Sequence, residues 1–162
     1  MGANRANMSY HIKNQIRDND GIIAGKILER RVRVSSAEIL ALATTPKELV
    51  PAPGTDKILE FISATIKHNA GTAYAEPDPA DDCYIRYSGG QQCSADIDST
   101  NFLDQTDDEI RIIPFNVAAM AITVDLEALK NTALQLHNPD SNLITGTGTL
   151  DIRISYRIHD FS

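Results

Sequence analysis

From Leu150 to His159 the chain alternates without a break, with Leu150, Ile152, Ile154, Tyr156 and Ile158 at even positions and Asp151, Arg153, Ser155, Arg157 and His159 at odd ones. A period of two sends the even side chains to one face of an extended backbone and the odd ones to the other. This is a β-strand with one buried face. The same period recurs in residues 27–34, more weakly in 84–87, and again in 121–126. Residues 56–68 read as a longer strand and 133–138 as a shorter one, so about six to eight strands are expected. Helix is scarce: Ser35–Leu42 is the best candidate, with Ser35 or Ser36 as its cap and Pro46 as its limit, and Glu127–Lys130 fits a single turn. Neither is long enough for the crossovers of a parallel sheet. The expected fold is all-β, an antiparallel β-sandwich of jelly-roll type.

At 162 residues and 17.7 kDa the chain suits one domain with one core. No window has the apolar length of a membrane helix, and Met1–Arg17 is polar where a signal peptide would be apolar, so neither a membrane nor signal-directed export is expected. The net charge of −7 argues against direct nucleic-acid binding by the body. That average conceals an asymmetry. Residues 1–34 hold seven Lys or Arg and three Asp or Glu, a net +4, which leaves −11 for the remainder. The pattern predicts an extended basic arm over residues 1–24 and a single β-sandwich domain over residues 25–162. In the arm, Arg5, Lys13 and Arg17 are candidates for docking on an acidic surface, such as that of a neighbouring copy.

The acidic surface is suggested by residues 76–109, the least regular part of the chain, where Asp81, Asp82, Asp104, Asp107 and Asp108 are candidate interface residues. Clustered carboxylates also suit calcium, but Asp96–Asn101 lacks the sixth-position glycine of an EF-hand loop, and no metal site is assigned. Cys83 and Cys93 flank an apparent hairpin turning at Gly89-Gly90. A two-residue loop would place Cys83 opposite Asp96 and Cys93 opposite Arg86, with the thiols on opposite faces, which disfavours a disulfide and suits assembly in a reducing cytoplasm. The cysteines have no partner pair at zinc-ligand spacing. His11, His68, His137 and His159 are scattered, with His68 and His159 read as polar-face residues at strand ends. There is no Gly-x-Ser-x-Gly elbow, and Thr145–Thr149 lacks the lysine and helix of a phosphate loop and reads as a turn. Neither catalysis nor a cofactor is indicated.

Two blocks are distinctive. Thr44-Thr45-Pro46 with Glu48-Leu49-Val50-Pro51-Ala52-Pro53-Gly54 punctuates the entry to the long strand, and Gly146-Thr147-Gly148 leads into the alternating Thr149–Ile158 segment. In wording and order they resemble small structural proteins of tailed bacteriophages, most of all head decoration or cement proteins. The resemblance spans roughly residues 32–68 and 120–160. It implies a homotrimeric jelly-roll subunit, made in the host cytoplasm and seated on the outer capsid surface, where it binds major capsid protein and bridges capsid subunits against DNA pressure. The alternative is a phage tail or surface sandwich that binds host glycan or protein through exposed aromatics, with Tyr74, Tyr84, Tyr87 and Phe102 as candidates.

Overall fold

A computed structural model describes residues 26–75, 82–116 and 125–161. The elements run β1 (Leu28–Val34), α1 (Ser36–Leu40), β2 (Lys47–Val50), β3 (Lys57–Asn69), β4 (Tyr84–Tyr87), β5 (Glu109–Pro114), α2 (Leu126–Leu129), β6 (Leu134–His137) and β7 (Thr149–Asp160). They form a four-stranded sheet in the order β1-β7-β3-β5 and a three-stranded sheet in the order β2-β6-β4. Every pairing within both is antiparallel.

The strands β1 to β4 alternate between the two sheets. The chain then folds back along β4, through the bridges Arg86↔Gln92 and Cys83↔Ile97, and alternates again through β5, β6 and β7. This to-and-fro wrapping is the jelly roll that the short alternating strands predict. The strands at 27–34, 56–68, 84–87, 133–138 and 150–159 are present within a residue or two. The one expected at 121–126 lies outside the described residues except for its end, where Leu126 opens α2. Two further strands, β2 and β5, were not read from the sequence.

The core lies between the sheets. Leu59, Phe61, Ile66, Leu150, Ile152 and Ile154 point inward from the large sheet, and Leu49, Ile85, Tyr87, Leu134 and Leu136 from the small one. Tyr87 ties the layers together by donating its hydroxyl to the Leu59 carbonyl at 2.6 Å. Burial pushes this phenol's pKa well above its usual range. One end of the sandwich is closed by Ile39 and Leu42, which α1 and the turn after it deliver to the core. The helix starts where the sequence indicates, with Ser35 and Glu38 forming a reciprocal capping box.

The hairpin register differs from expectation. Tyr87 N–H donates to Gln91 O at 2.8 Å, so three residues rather than two make the turn, and Gly90 takes a φ of 106° within it. A bulge follows, with Cys93 N–H and Ser94 N–H both reaching Ile85 O. Cys83 therefore pairs with Ile97 instead of Asp96, and both thiols are buried in the core instead of facing opposite sides. No disulfide joins them.

Candidate functional site

The solvent face of the large sheet is the most distinctive surface among the described residues. Its cross-strand rows follow from the register. Arg33, Asp151, Lys67 and Ile110 make one row; Arg31, Arg153, Thr65 and Ile112 the next; Glu29, Ser155, Ser63 and Pro114 a third. These outward positions are odd residues of β1 and β7, whose even neighbours Val34, Leu150, Ile152 and Ile154 are buried in the core, so the alternation that builds the sandwich also fixes this face. An open groove of about 800 Å³ runs over it, lined by Arg31, Arg33, Lys67 and Arg153 against the carboxylates of Glu29 and Asp151.

The charges are incompletely balanced. Arg31 Nε lies 3.4 Å from Glu29 Oε1, and Lys67 Nζ 2.7 Å from Asp108 Oδ2. Asp151 is drawn sideways to accept from Asn69 Nδ2 at 2.8 Å. Arg31 and Arg153 stand directly opposite each other, a like-charge pairing that is unfavourable in a sheet. Such a face is suited to meeting a surface of opposite charge.

On its β5 side the face becomes apolar. Ile110 is 66 % exposed and Ile112 73 %. They point outward because Ile113 is buried and because Arg111 has its own partners. Its guanidinium donates to Asp98 Oδ2 and to Asn101 O, each at 2.7 Å, and its Cζ lies 5.0 Å from the Phe102 ring centre.

The sequence-derived candidates fall unevenly. Arg5, Lys13, Arg17 and Asp81 lie outside the described residues. Asp82 accepts from Ser99 N–H at 3.1 Å, and Asp104 accepts from Gln105 Nε2 at 2.6 Å. Asp107 is exposed, and Asp108 accepts from Ala70 N–H at 2.8 Å besides its pair with Lys67. The Ala70 amide, with Lys67, lowers the Asp108 pKa. Asp104, Asp107 and Asp108 are thus gathered on the loop entering β5, where Asp108 holds neighbouring backbone and Asp107 meets solvent.

The aromatic candidates do not form a recognition surface, since Tyr74, Tyr87 and Phe102 are buried in the core and only Tyr84 is partly exposed. His68 also departs from expectation. It is wholly buried, packed against Tyr74 and Phe102, and neither ring nitrogen has a hydrogen-bond partner among the described residues. It points inward because its parity in β3 matches that of Ala64 and Ile66. His159 behaves as expected for a polar face, meeting Glu60 Oε2 at 2.9 Å. Among the described residues, no three His, Cys, Asp or Glu side chains gather as a metal site. No helix of theirs is long and apolar enough to cross a membrane.

Sequence reasoning missed the basic face. Its signal was present in Arg31, Arg33 and Arg153 at odd strand positions, but their convergence depends on pairing between residues more than a hundred positions apart.

No protein-family model matches the chain, and no curated protein matches it. Among solved structures, it is similar to a chain of the cyanophage Pam1 capsid asymmetric unit, with 14% identity, a TM-score of 0.49, and coverage of 82% of this chain and 85% of that one.

Proposed function

We propose that this chain is a structural virion protein, a capsid cement protein that binds the outer surface of an assembled phage head and bridges neighbouring capsid subunits. The observation that carries the reading is the open, cation-rich face on which Arg31 and Arg153 oppose one another. The pair contributes positive charge to this face, which an acidic capsid surface neutralises when it covers it. A protein that docks only across an assembled joint stabilises the assembly by linkage, and repetition over the shell multiplies a modest contact through avidity. The jelly-roll body and the two distinctive sequence blocks agree with this role. The basic arm of residues 1–24, with Arg5, Lys13 and Arg17, and the carboxylates Asp81, Asp82, Asp104, Asp107 and Asp108 supply further contacts to capsid protein or to another copy within a homotrimer. No step of this function requires chemistry at a catalytic residue.

The test is co-sedimentation of the purified chain with heads that lack it, together with the heat resistance of the decorated heads. Arg153→Glu separates binding from folding, because the new carboxylate faces Arg31 and replaces a repulsion with an ion pair. The variant should melt no lower than the parent yet bind heads at least about tenfold more weakly. Undiminished binding by this variant would remove the basic face from the docking surface, and absence of binding by the parent chain would end the cement reading.

A further inference from the structure

The two edges of the large sheet are unlike each other in a complementary way. At one edge is β1, where Arg30, Arg31 and Arg33 outnumber Glu29, with Lys26 just before it. At the other is β5, entered through Asp104, Asp107 and Asp108 and beginning at Glu109, with Arg111 turned toward Asp98. Charged side chains ordinarily guard an exposed edge against pairing with another chain, and the arginines of β1 fit that role by themselves. The β5 edge does not. It presents Ile110 and Ile112 to solvent, the most exposed large apolar side chains of the described residues, and among those residues no strand of the sheet lies beyond it, although its far end is covered where Ala95 N–H donates to Pro114 O. An apolar edge of this kind is a template for another strand.

We infer that β5 of one copy docks along β1 of a second copy, so that the large sheet continues from subunit to subunit in a head-to-tail association. The direction of the strands permits it. Four strands that alternate antiparallel leave β1 and β5 running in opposite senses, so the junction repeats the antiparallel pairing found within the sheet. Charge favours the same junction: β1 against β1 brings arginines together, whereas β1 against β5 sets the acidic entry to β5 beside Arg33 at the end of β1. A contact between two different surfaces is heterologous and generates closed rings when its rotation closes. The inference gives a surface to the self-association named in the proposed function and rests on that reading only for its biological purpose.

The experiment measures the mass of the full chain in solution by light scattering, across variants and ionic strength. The parent should form a discrete oligomer that dissociates toward the 17.7 kDa monomer as salt rises from about 0.05 to about 1 M. Arg31→Glu with Arg33→Glu should weaken association by roughly a hundredfold, as should Asp107→Lys with Glu109→Lys, because each sets like charges across the junction. The fourfold variant that carries both pairs restores opposite signs and should associate again. Circular dichroism and melting verify that each variant is folded. A monomeric parent, a single-edge variant that keeps the parental mass, or a folded fourfold variant that stays dissociated would each overturn the inference. Head binding is read separately through Arg153→Glu, so failure of the junction is distinguishable from failure of the cement role.

Discussion

Gly146 adopts a φ of 131°, and a Cβ added there would lie 2.2 Å from Tyr74 Cδ1. Both backbone and space therefore demand glycine. The Tyr74 hydroxyl donates to Gly148 O at 2.6 Å, and Thr72 N–H donates to Thr147 Oγ1 at 2.8 Å, so residues 145–149 clasp the 71–75 segment. Gly146→Ala should destabilise the fold by about 3 kcal/mol, combining backbone strain with overpacking. Gly90→Ala is the control, since Gly90 has a φ of 106° but open space around it, and should lose only about 1 kcal/mol. Denaturant unfolding of the two variants measures the contrast, and equal losses would show that the Tyr74 ring gives way. The sequence identified 145–149 as a turn before a strand. It was silent on the clasp, because what makes Gly146 indispensable is a ring 72 positions earlier in the chain.

At the scale of elements, α1 and β2 are joined by Glu38, which accepts from the Ser35 backbone in the capping box while its other oxygen meets Lys47 Nζ on β2. The Lys47 ammonium first, and the Ser35 amide second, hold the Glu38 carboxyl down at about 2, from an ordinary value of 4.5. A carboxyl whose folded pKa is depressed contributes stability that is complete above its unfolded pKa, near 4.5, and lost as pH falls toward 2. Because the pair is partly exposed, screening reduces its worth to about 1 kcal/mol. Glu38→Gln should lower stability by about that amount at neutral pH and flatten the acid limb between pH 4.5 and 2; acid titration of the unfolding midpoint tests both. This end of β2 was legible as punctuation only, since the prolines at 46, 51 and 53 leave room for a strand of four residues, too few to show a period. Strand β5 was hidden for a different reason. Glu109-Ile110-Arg111-Ile112 alternates, but its isoleucines face solvent and its arginine faces inward, the reverse of what burial patterning assumes. The long strands β3 and β7 were legible because they lie in the middle of the sheet, where one face of each is committed to the core.

For the whole molecule, stability and attachment meet at Cys93. Its thiol is buried, donates to Ile85 O at 3.3 Å, and has a pKa raised well above the ordinary thiol range by burial, so it is unreactive while the sandwich is closed. Labelling requires the two sheets to part, and therefore reports opening of the molecule as a unit. With Cys83→Ala, Cys93 is the only cysteine left in the chain. Its modification by a small thiol reagent should then follow the population of the opened state and accelerate with denaturant in step with the loss of sheet signal. A head surface that binds the closed sandwich and not the opened chain suppresses opening by mass action, about a hundredfold when free sites stand at a hundred times the dissociation constant. Labelling of Cys93 should slow by that factor on heads when opening and closing are fast relative to modification, and Arg153→Glu, by weakening attachment at least about tenfold, should cut the protection to about tenfold or less. Equal labelling rates on and off heads, at sites shown to be occupied, would mean that attachment runs through the arm alone and leaves the sandwich energetically uncoupled from the capsid.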